Sequence, residues 1–377
     1  MVLKWWSVGS IVILGLVWFV LAEQSTVAAR PLSVQAAPVA AAPGAPAMAR
    51  SAPAPASGAV PQAAPAPSGA DGAPGRTGEP SGAGLAAPAG GAESAPAVSA
   101  DVAAGIAAAA AQRQAGDPAG AETTLRQAIQ KATRASDAAR AGLFLAPLTK
   151  DAVEHRRLIS AALLEDVVVG SEYDEVGRQL RELNRSPGTS LQGALKLENY
   201  TVVANDSLWK LCNKVFPTRF GQSPEVGLVR IVNGLHSDGL HVGQLLKVPT
   251  EPLRIVVSMG HHGLTAFVGE TAVAAYWIGL GKENRTPRET FVIQVKQEDP
   301  AWFNGSRTIP FGDPENVLGT RWMGFEPKDG AHGFGIHGTA YPESIGKDES
   351  MGCVRMRNAE VEELFEYVPR GTRVTIG

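Results

Sequence analysis

A multidomain α+β protein is predicted, with its folded mass beyond residue 100. Three observations predict this. An almost wholly apolar run, Trp5 to Ala22, opens the chain. Ala, Pro and Gly then fill 48 of the 70 positions over 31–100, with no aromatic residue. Such a stretch buries too little apolar area to offset its ordering entropy. Beyond it, apolar residues recur first at helical spacing and then in short β-type runs broken by Gly and Pro.

The totals exclude several classes. Lys and Arg number 34 against 37 Asp and Glu, a net charge of −3, so no basic excess points to nucleic acid. Two cysteines rule out a disulfide scaffold and a zinc site of four thiolates. His261, His262 and His332 show no metal-ligand spacing with His337, so neither a metal nor a cofactor is expected.

Residues 1–23 read as a transmembrane signal anchor or a signal peptide. About 18 apolar residues suffice to cross a hydrocarbon core of roughly 30 Å. Lys4 on the short side favours an N-in orientation, with Trp5, Trp6 and Trp18 suited to the interfaces. Val20-Leu21-Ala22 offers the alternative, a cleavage site. Either way the chain is expected in the cell envelope, outside the cytoplasm, anchored by its N-terminal helix or secreted. Residues 24–100 are expected to be a disordered Ala/Pro/Gly-rich tether.

Residues 101–190 form a small helical region. Gly116-Asp117-Pro118 breaks the chain before Leu125, Ile129, Ala132 and Ala135. Leu158, Ile159, Ala162, Leu163 and Val167 make a second stripe, and Ser171 with Asp174 reads as a capping box. The segment faintly resembles a tetratricopeptide unit. A helical spacer and a module for a protein partner both remain open.

Residues 198–250 have a β-α-α-β order. Asn199-Tyr200-Thr201-Val202 is a strand, and Asn205-Asp206-Ser207 starts a helix carrying Leu208, Leu211 and Cys212. Val229, Ile231 and Val232 form a second helix ended by Asn233-Gly234, and Val242 to Pro249 closes the unit. Trp209 and Cys212 are expected in its core. With Tyr200-x-Val202, Asn205-Asp206-Ser207-Leu208 and Val242-Gly243-Gln244-Leu245, the segment resembles a LysM domain. The resemblance implies N-acetylglucosamine-containing glycan held by Asn205, Asp206, Ser207, Gly234 and Leu235.

From 253 to 377 the pattern is β-rich until a helix at 358–367 and a last strand at 372–376. Chemistry concentrates in Ile336-His337-Gly338-Thr339 and Ser350-Met351-Gly352-Cys353-Val354-Arg355-Met356. A lone Cys with a His, 16 positions apart, is a candidate nucleophile and base. Arg355 can favour a thiolate or hold a substrate carboxylate. Glycine beside the Cys permits a turn whose N–H groups face a developing oxyanion. Gly-Cys alone would read more readily as a buried structural turn.

The wider pattern, with Gly279-x-Gly281, Thr286-Pro287, Pro310-Phe311-Gly312, Leu318-Gly319 and Asn358, resembles the YkuD-type L,D-transpeptidase catalytic domain. The resemblance implies a sandwich-like β fold with Cys353 as nucleophile and His337 as base. It makes the Gly338 carbonyl the orienter of His337 and gives Gly352 to the oxyanion. Ser350, Met351, Thr339 and Arg355 would touch substrate. The implied reaction joins peptidoglycan stem peptides through a Cys thioester, giving 3→3 cross-links in cell-wall biogenesis. L,D-carboxypeptidase action, attachment of a protein to the wall, or a non-catalytic scaffold are the alternatives. Met351 stands where the family often has His, and Glu289 where many members have Gly.

Overall fold

The computed structural model describes residues 97–185, 189–328 and 330–377. The expected N-terminal membrane helix and the tether up to residue 96 lie outside them. Among the described residues, no helix is long and apolar enough to cross a membrane.

Six helices come first: α1 (Ala100–Gln114), α2 (Pro118–Lys131), α3 (Ala135–Leu145), α4 (Ala152–Leu164), α5 (Glu172–Arg185) and α6 (Thr189–Ala194). Local signals start two of them. Asp117 caps α2 by accepting from the Gly120 N–H at 2.8 Å, with Pro118 in its first turn. Asp151 caps α4 through the Val153 N–H at 2.8 Å. The expected Ser171–Asp174 capping box is not formed. Asp174 instead takes both arms of Arg357, at 2.7 and 3.1 Å. A bidentate guanidinium outweighs a single backbone N–H.

Strand β1 (Leu197–Thr201) begins the β-α-α-β unit, followed by α7 (Leu208–Lys210), a π-helical stretch at Leu211–Val215, α8 (Phe216–Phe220), α9 (Val226–Asn233) and β2 (Leu245–Pro249). β1 and β2 pair antiparallel, with Tyr200 opposite Leu246. Leu208, Leu211, Cys212, Phe216 and Val229 fill the core beneath. Trp209 departs from expectation: it is 61% exposed, with the Lys214 ammonium 5.7 Å from its ring. Leu208 and Leu211 already occupy the inward phase of this turn, so Trp209 between them faces out.

The remaining strands are β3 (Leu253–Ser258), β4 (Gly263–Val268), β5 (Thr271–Trp277), β6 (Leu280–Gly281), β7 (Thr290–Glu298), β8 (Trp302–Phe303), β9 (Thr308–Ile309), β10 (Arg321–Phe325), β11 (Gly335–His337), β12 (Asp348–Ser350), β13 (Val354–Arg355) and β14 (Arg373–Ile376), with α10 (Asn358–Tyr367) before the last. In place of two stacked sheets, one eight-stranded sheet runs β13-β11-β10-β7-β14-β3-β4-β5. β7 joins its halves. Thr290 to Val292 pair with β14, while Ile293 to Glu298 pair with β10. Ile255, Val257, Ile293, Met323, Ile336, Val354 and Val374 form the core with Val361 and Leu364 of α10. Each such aliphatic side chain contributes about 1.5–3 kcal/mol by leaving water.

The helical region covers the β5 edge, where backbone groups would otherwise lie open. Fully buried Arg156 donates to the Ala272 carbonyl at 2.8 Å and to Asn184 Oδ1 at 2.7 Å. Asn184 donates in turn to the Val273 carbonyl, and Ser160 Oγ accepts the Ala272 N–H at 3.0 Å. A Cβ on Gly177 would lie 2.4 Å from the Ala275 carbonyl, so α5 lies directly against the strand. Ile159, Leu163, Val176 and Leu180 share one apolar cluster with Phe267, Ala272 and Ala275. α4, α5 and α6 are therefore built against the sheet, while α1 and α2 pack with α3 in a cluster of their own. On another side α9 meets α10: Gly227 sits against the Glu366 carbonyl and Arg230 pairs with Glu366 at 2.8 Å. Lys296 reaches Glu225 at 2.8 Å, beside the start of α9.

Candidate active site

The site grows from two short neighbouring strands. β11 and β13 run parallel, with Ile336 opposite Val354 and His337 opposite Arg355. Ile336 and Val354 point into the core, both 0% exposed. Alternation then sends His337, Arg355 and Cys353 to the other face. Cys353 stands one strand across and two residues back from His337, a backbone separation of roughly 8 Å on the same face of the sheet.

His337 is oriented from both sides. Its Nδ1–H donates to the Gly338 carbonyl at 2.5 Å, which leaves the Nε2 lone pair to accept a proton. The Trp322 ring lies 5.9 Å from the imidazole. Burial pushes the imidazole down to about 4, against the Gly338 contact that raises it and with the Arg355 cation lowering it further. His337 is therefore neutral at ordinary pH.

Asn358, at the start of α10, holds the segment that orients His337. Its Oδ1 accepts the Thr339 N–H at 3.1 Å and the Thr320 N–H at 3.4 Å. A Cβ on Gly319 (φ +63°) would meet the Gly338 and Thr339 backbone at 2.7 Å, so that position requires glycine, and a Cβ on Gly338 would displace the Asn358 oxygen, 2.2 Å away. Asn358 belongs to the family pattern in the sequence, yet nothing local assigns it this task. Its contacts reach back 19 and 38 residues.

Cys353 follows a turn whose geometry only glycine adopts. Gly352 has φ +129°, and a Cβ there would meet the Phe334 ring at 2.4 Å and the Arg285 carbonyl at 2.9 Å. Ser350 closes the turn. Its hydroxyl accepts the Gly352 N–H at 3.0 Å and donates to the Cys353 carbonyl at 2.7 Å. The Cys353 thiol is partly exposed, and its Sγ–H points to the Gly333 carbonyl at 3.6 Å. Burial pushes the thiol up to about 11, while the Gly335 backbone and the Arg355 cation pull it back.

Three expectations are corrected by these contacts. The Gly352 N–H is committed to Ser350, so it is not an oxyanion donor in this state; Gly352 supplies the turn instead. Ser350 is 2% exposed with both hydrogen-bonding roles of its hydroxyl used inside the turn, so it shapes the site without facing substrate. Thr339 is 3% exposed, and its Oγ1 accepts the Tyr341 N–H at 3.0 Å. Met351 does face outward, 47% exposed, with Arg285 Nη1 3.7 Å from its sulfur. Arg355 is half-buried on the face of the thiol. Cys212 and Cys353 are both free thiols. Among the described residues, no group of three His, Cys, Asp or Glu side chains is placed to hold a metal ion.

In the β-α-α-β unit, Asn205 takes a left-handed backbone (φ +66°) and lies exposed. Asp206 is a correction: its carboxylate is occupied by the Tyr200 hydroxyl at 2.7 Å, the Val203 N–H at 3.0 Å and Lys210 at 3.1 Å. It holds the loop and is not free for sugar. Ser207 caps α7 through the Lys210 N–H at 3.2 Å and remains exposed. Gly234 ends α9 with φ +62°, and Leu235 packs partly on the unit's core.

A thiol and an oriented, neutral imidazole on adjacent strands define a cysteine acyltransferase domain. Residues 252–376 match the YkuD family, described as the L,D-transpeptidase catalytic domain, and residues 200–249 match the LysM domain. The chain is 39% identical to YqjB of Bacillus subtilis, grouped by name with the L,D-transpeptidases, over 132 residues. That match takes in 34% of this chain and 73% of the relative. YkuD of the same organism is 37% identical over 145 residues, covering 37% of this chain and 77% of the relative. An L,D-transpeptidase structure from Mycobacterium tuberculosis H37Rv is 14% identical with a TM-score of 0.28; the match covers 36% of this chain and 63% of that one. The chain belongs to the L,D-transpeptidase family. Its matched LysM and catalytic domains both address peptidoglycan, the polymer of the cell wall outside the cytoplasm.

Proposed function

We propose that Cys353 transfers an acyl group between peptidoglycan stem peptides, with His337 as base. The observation carrying this reading is the pairing of the Gly352–Cys353 turn with an imidazole tied through Nδ1 to Gly338. Nε2 of His337 takes the thiol proton as sulfur attacks the carbonyl carbon between the diamino acid and the terminal D-Ala of a donor stem. A C–S bond forms, the carbonyl oxygen becomes an oxyanion, and the Cys353 N–H serves as its backbone donor. Collapse breaks the C–N bond, and His337 returns the proton to the departing D-Ala amine. The side-chain amine of a second stem then attacks the thioester, losing its proton to His337 and releasing the thiolate, which regains that proton. A 3→3 cross-link results.

The neutral resting pair supports general-base activation at the moment of attack in place of a standing ion pair. Arg355 and Met351 flank the donor, and the loops carrying exposed Asn205 and Ser207 and half-buried Gly234 hold glycan, raising the local concentration of stems. The N-terminal apolar segment anchors the enzyme on the outer face of the cytoplasmic membrane.

The test is incubation of the purified protein with a disaccharide tetrapeptide, with Cys353→Ala alongside. A cross-linked dimer and free D-Ala, both lost in the variant, are expected. Tripeptide without dimer makes water the acceptor and the enzyme a carboxypeptidase. No product from a folded protein makes the chain a wall-binding scaffold.

A further inference from the structure

The rim above the nucleophile carries a cation that the acyl-transfer mechanism does not use. The rim is the segment from Gly281 to Thr286. Glu283 and Asn284 both sit in the left-handed region, at φ +54° and +56°, a conformation that side chains other than glycine rarely adopt. The segment is nonetheless fixed at both ends. The Gly281 N–H donates to Oγ1 of buried Thr286 at 2.8 Å, and a Cβ on Gly281 would lie 2.7 Å from the Gly352 Cα. Two successive residues held in this conformation direct the next one, Arg285, over the turn of Cys353.

Arg285 has only replaceable partners there. Nη1 lies 3.7 Å from the Met351 sulfur, and a thioether is a weak acceptor. Nη2 pairs at 2.9 Å with Glu283, whose side chain is 71% exposed, and such pairs contribute little. Below, on the face of the thiol, Arg355 has a buried Nε with no partner, and it makes no ion pair among the described residues. Arg355 thus lies on the face of the thiol and Arg285 at the Met351 end of the same turn, both with donors to spare.

We propose that Arg285 and Arg355 form a carboxylate-binding subsite that selects acyl donors bearing a free carboxylate beside the scissile bond, with Arg285 as the specificity-determining residue. A planar guanidinium exchanging a thioether for a carboxylate gains a charge-assisted, bidentate contact. The proposal rests on Cys353 as the nucleophile, and its test separates the two ideas.

Cys353 is alkylated with iodoacetate or with iodoacetamide. These reagents form the same C–S bond, expel the same iodide, and differ only in charge. Buried Cys212 adds no competing label. Arg285→Gln is expected to slow iodoacetate about tenfold more than iodoacetamide, and Arg285→Lys to restore most of the preference. In turnover, Arg285→Gln raises KM more than it lowers kcat, and only for donors with the relevant carboxylate free. Donors amidated at the diamino-acid side chain or at the C-terminal D-Ala identify which carboxylate is read. An unchanged reagent ratio overturns the proposal, as does equal slowing of both reagents or equal loss with free and amidated donors. A falling reagent ratio without turnover of any donor leaves the subsite standing and removes the acyl-transfer reading.

Discussion

The two cysteines of this chain are both free and both resist ionisation, yet they are built for opposite ends. Cys212 is 2% exposed among Leu208, Leu211 and Phe216. Burial pushes its thiol up to about 12, with Glu225 and Asp238 adding to the rise. Cys353 reaches about 11 by burial too, but a backbone contact and the Arg355 cation pull against it. The difference lies less in the two values than in the neighbours. Cys353 is partly exposed and has a neutral imidazole across the ladder, whereas Cys212 is buried and has no such neighbour among the described residues. On the proposed reading, reactivity here comes from a base on the neighbouring strand that takes the proton as the sulfur attacks.

That contrast can be broken from its strongest point downward. Cys353→Ala should abolish acyl transfer to the limit of detection in product chromatography. Cys212→Ala should retain activity and show about 1 kcal/mol of lost stability in denaturant melts, from the missing sulfur contacts. His337→Gln should lower kcat by roughly 10²–10⁴, the usual worth of a general base, and slow Cys353 alkylation while leaving Cys212 inert. Gly352→Ala forces a methyl against Phe334 at a left-handed position. It should lower kcat on the order of a hundredfold, since misplacing the nucleophile by about 1 Å has that effect, at nearly wild-type binding of stem peptide. Asn358→Ala frees the Gly338 segment and should lower kcat about tenfold with little change in KM, because the imidazole loses orientation and not its contact with substrate.

The pH dependence of stability sharpens the same contrast. His337 is held neutral when folded, about 4 against an unfolded value near 6.5. Between those limits the unfolded chain binds the extra proton, so stability falls as pH drops from about 6.5 toward 4, by at most about 3 kcal/mol. On the alkaline side the thiols ionise first in the unfolded chain, so stability falls as pH rises from about 9 toward 11. Thermal melts across pH should show both shoulders, and His337→Gln should remove the acidic one alone.

Much of this was legible in the sequence because it is local. The spacing of His337 and Cys353, the helix at 358–367 and the β-α-α-β order follow from residues near one another in the chain. What sequence could not supply was long-range partnership. Ser350 and Thr339 carry hydroxyls fit for substrate, and only the turn geometry shows those hydroxyls spent on Cys353, Gly352 and Tyr341. Asp206 looks like a sugar ligand until Tyr200 and Lys210 are seen to occupy it. The helical spacing over 101–190 was readable, but not its purpose, because Arg156 finds its partner at Ala272, 116 residues on. Asn358 was likewise hidden: its role depends on two backbone N–H groups, one just before β10 and one just after β11, brought to it by the fold.

The central claim is that Cys353 becomes acylated by a stem peptide with His337 as its base. Intact-mass spectrometry of the full protein, quenched early after mixing with a tetrapeptide donor, tests it most directly. The account predicts a mass increase equal to the tripeptide acyl group on the peptide containing Cys353, slowed in His337→Gln and missing in Cys353→Ala. Acylation that persists in Cys353→Ala, or product formed with no adduct at any quench time and an undiminished rate in His337→Gln, would contradict it.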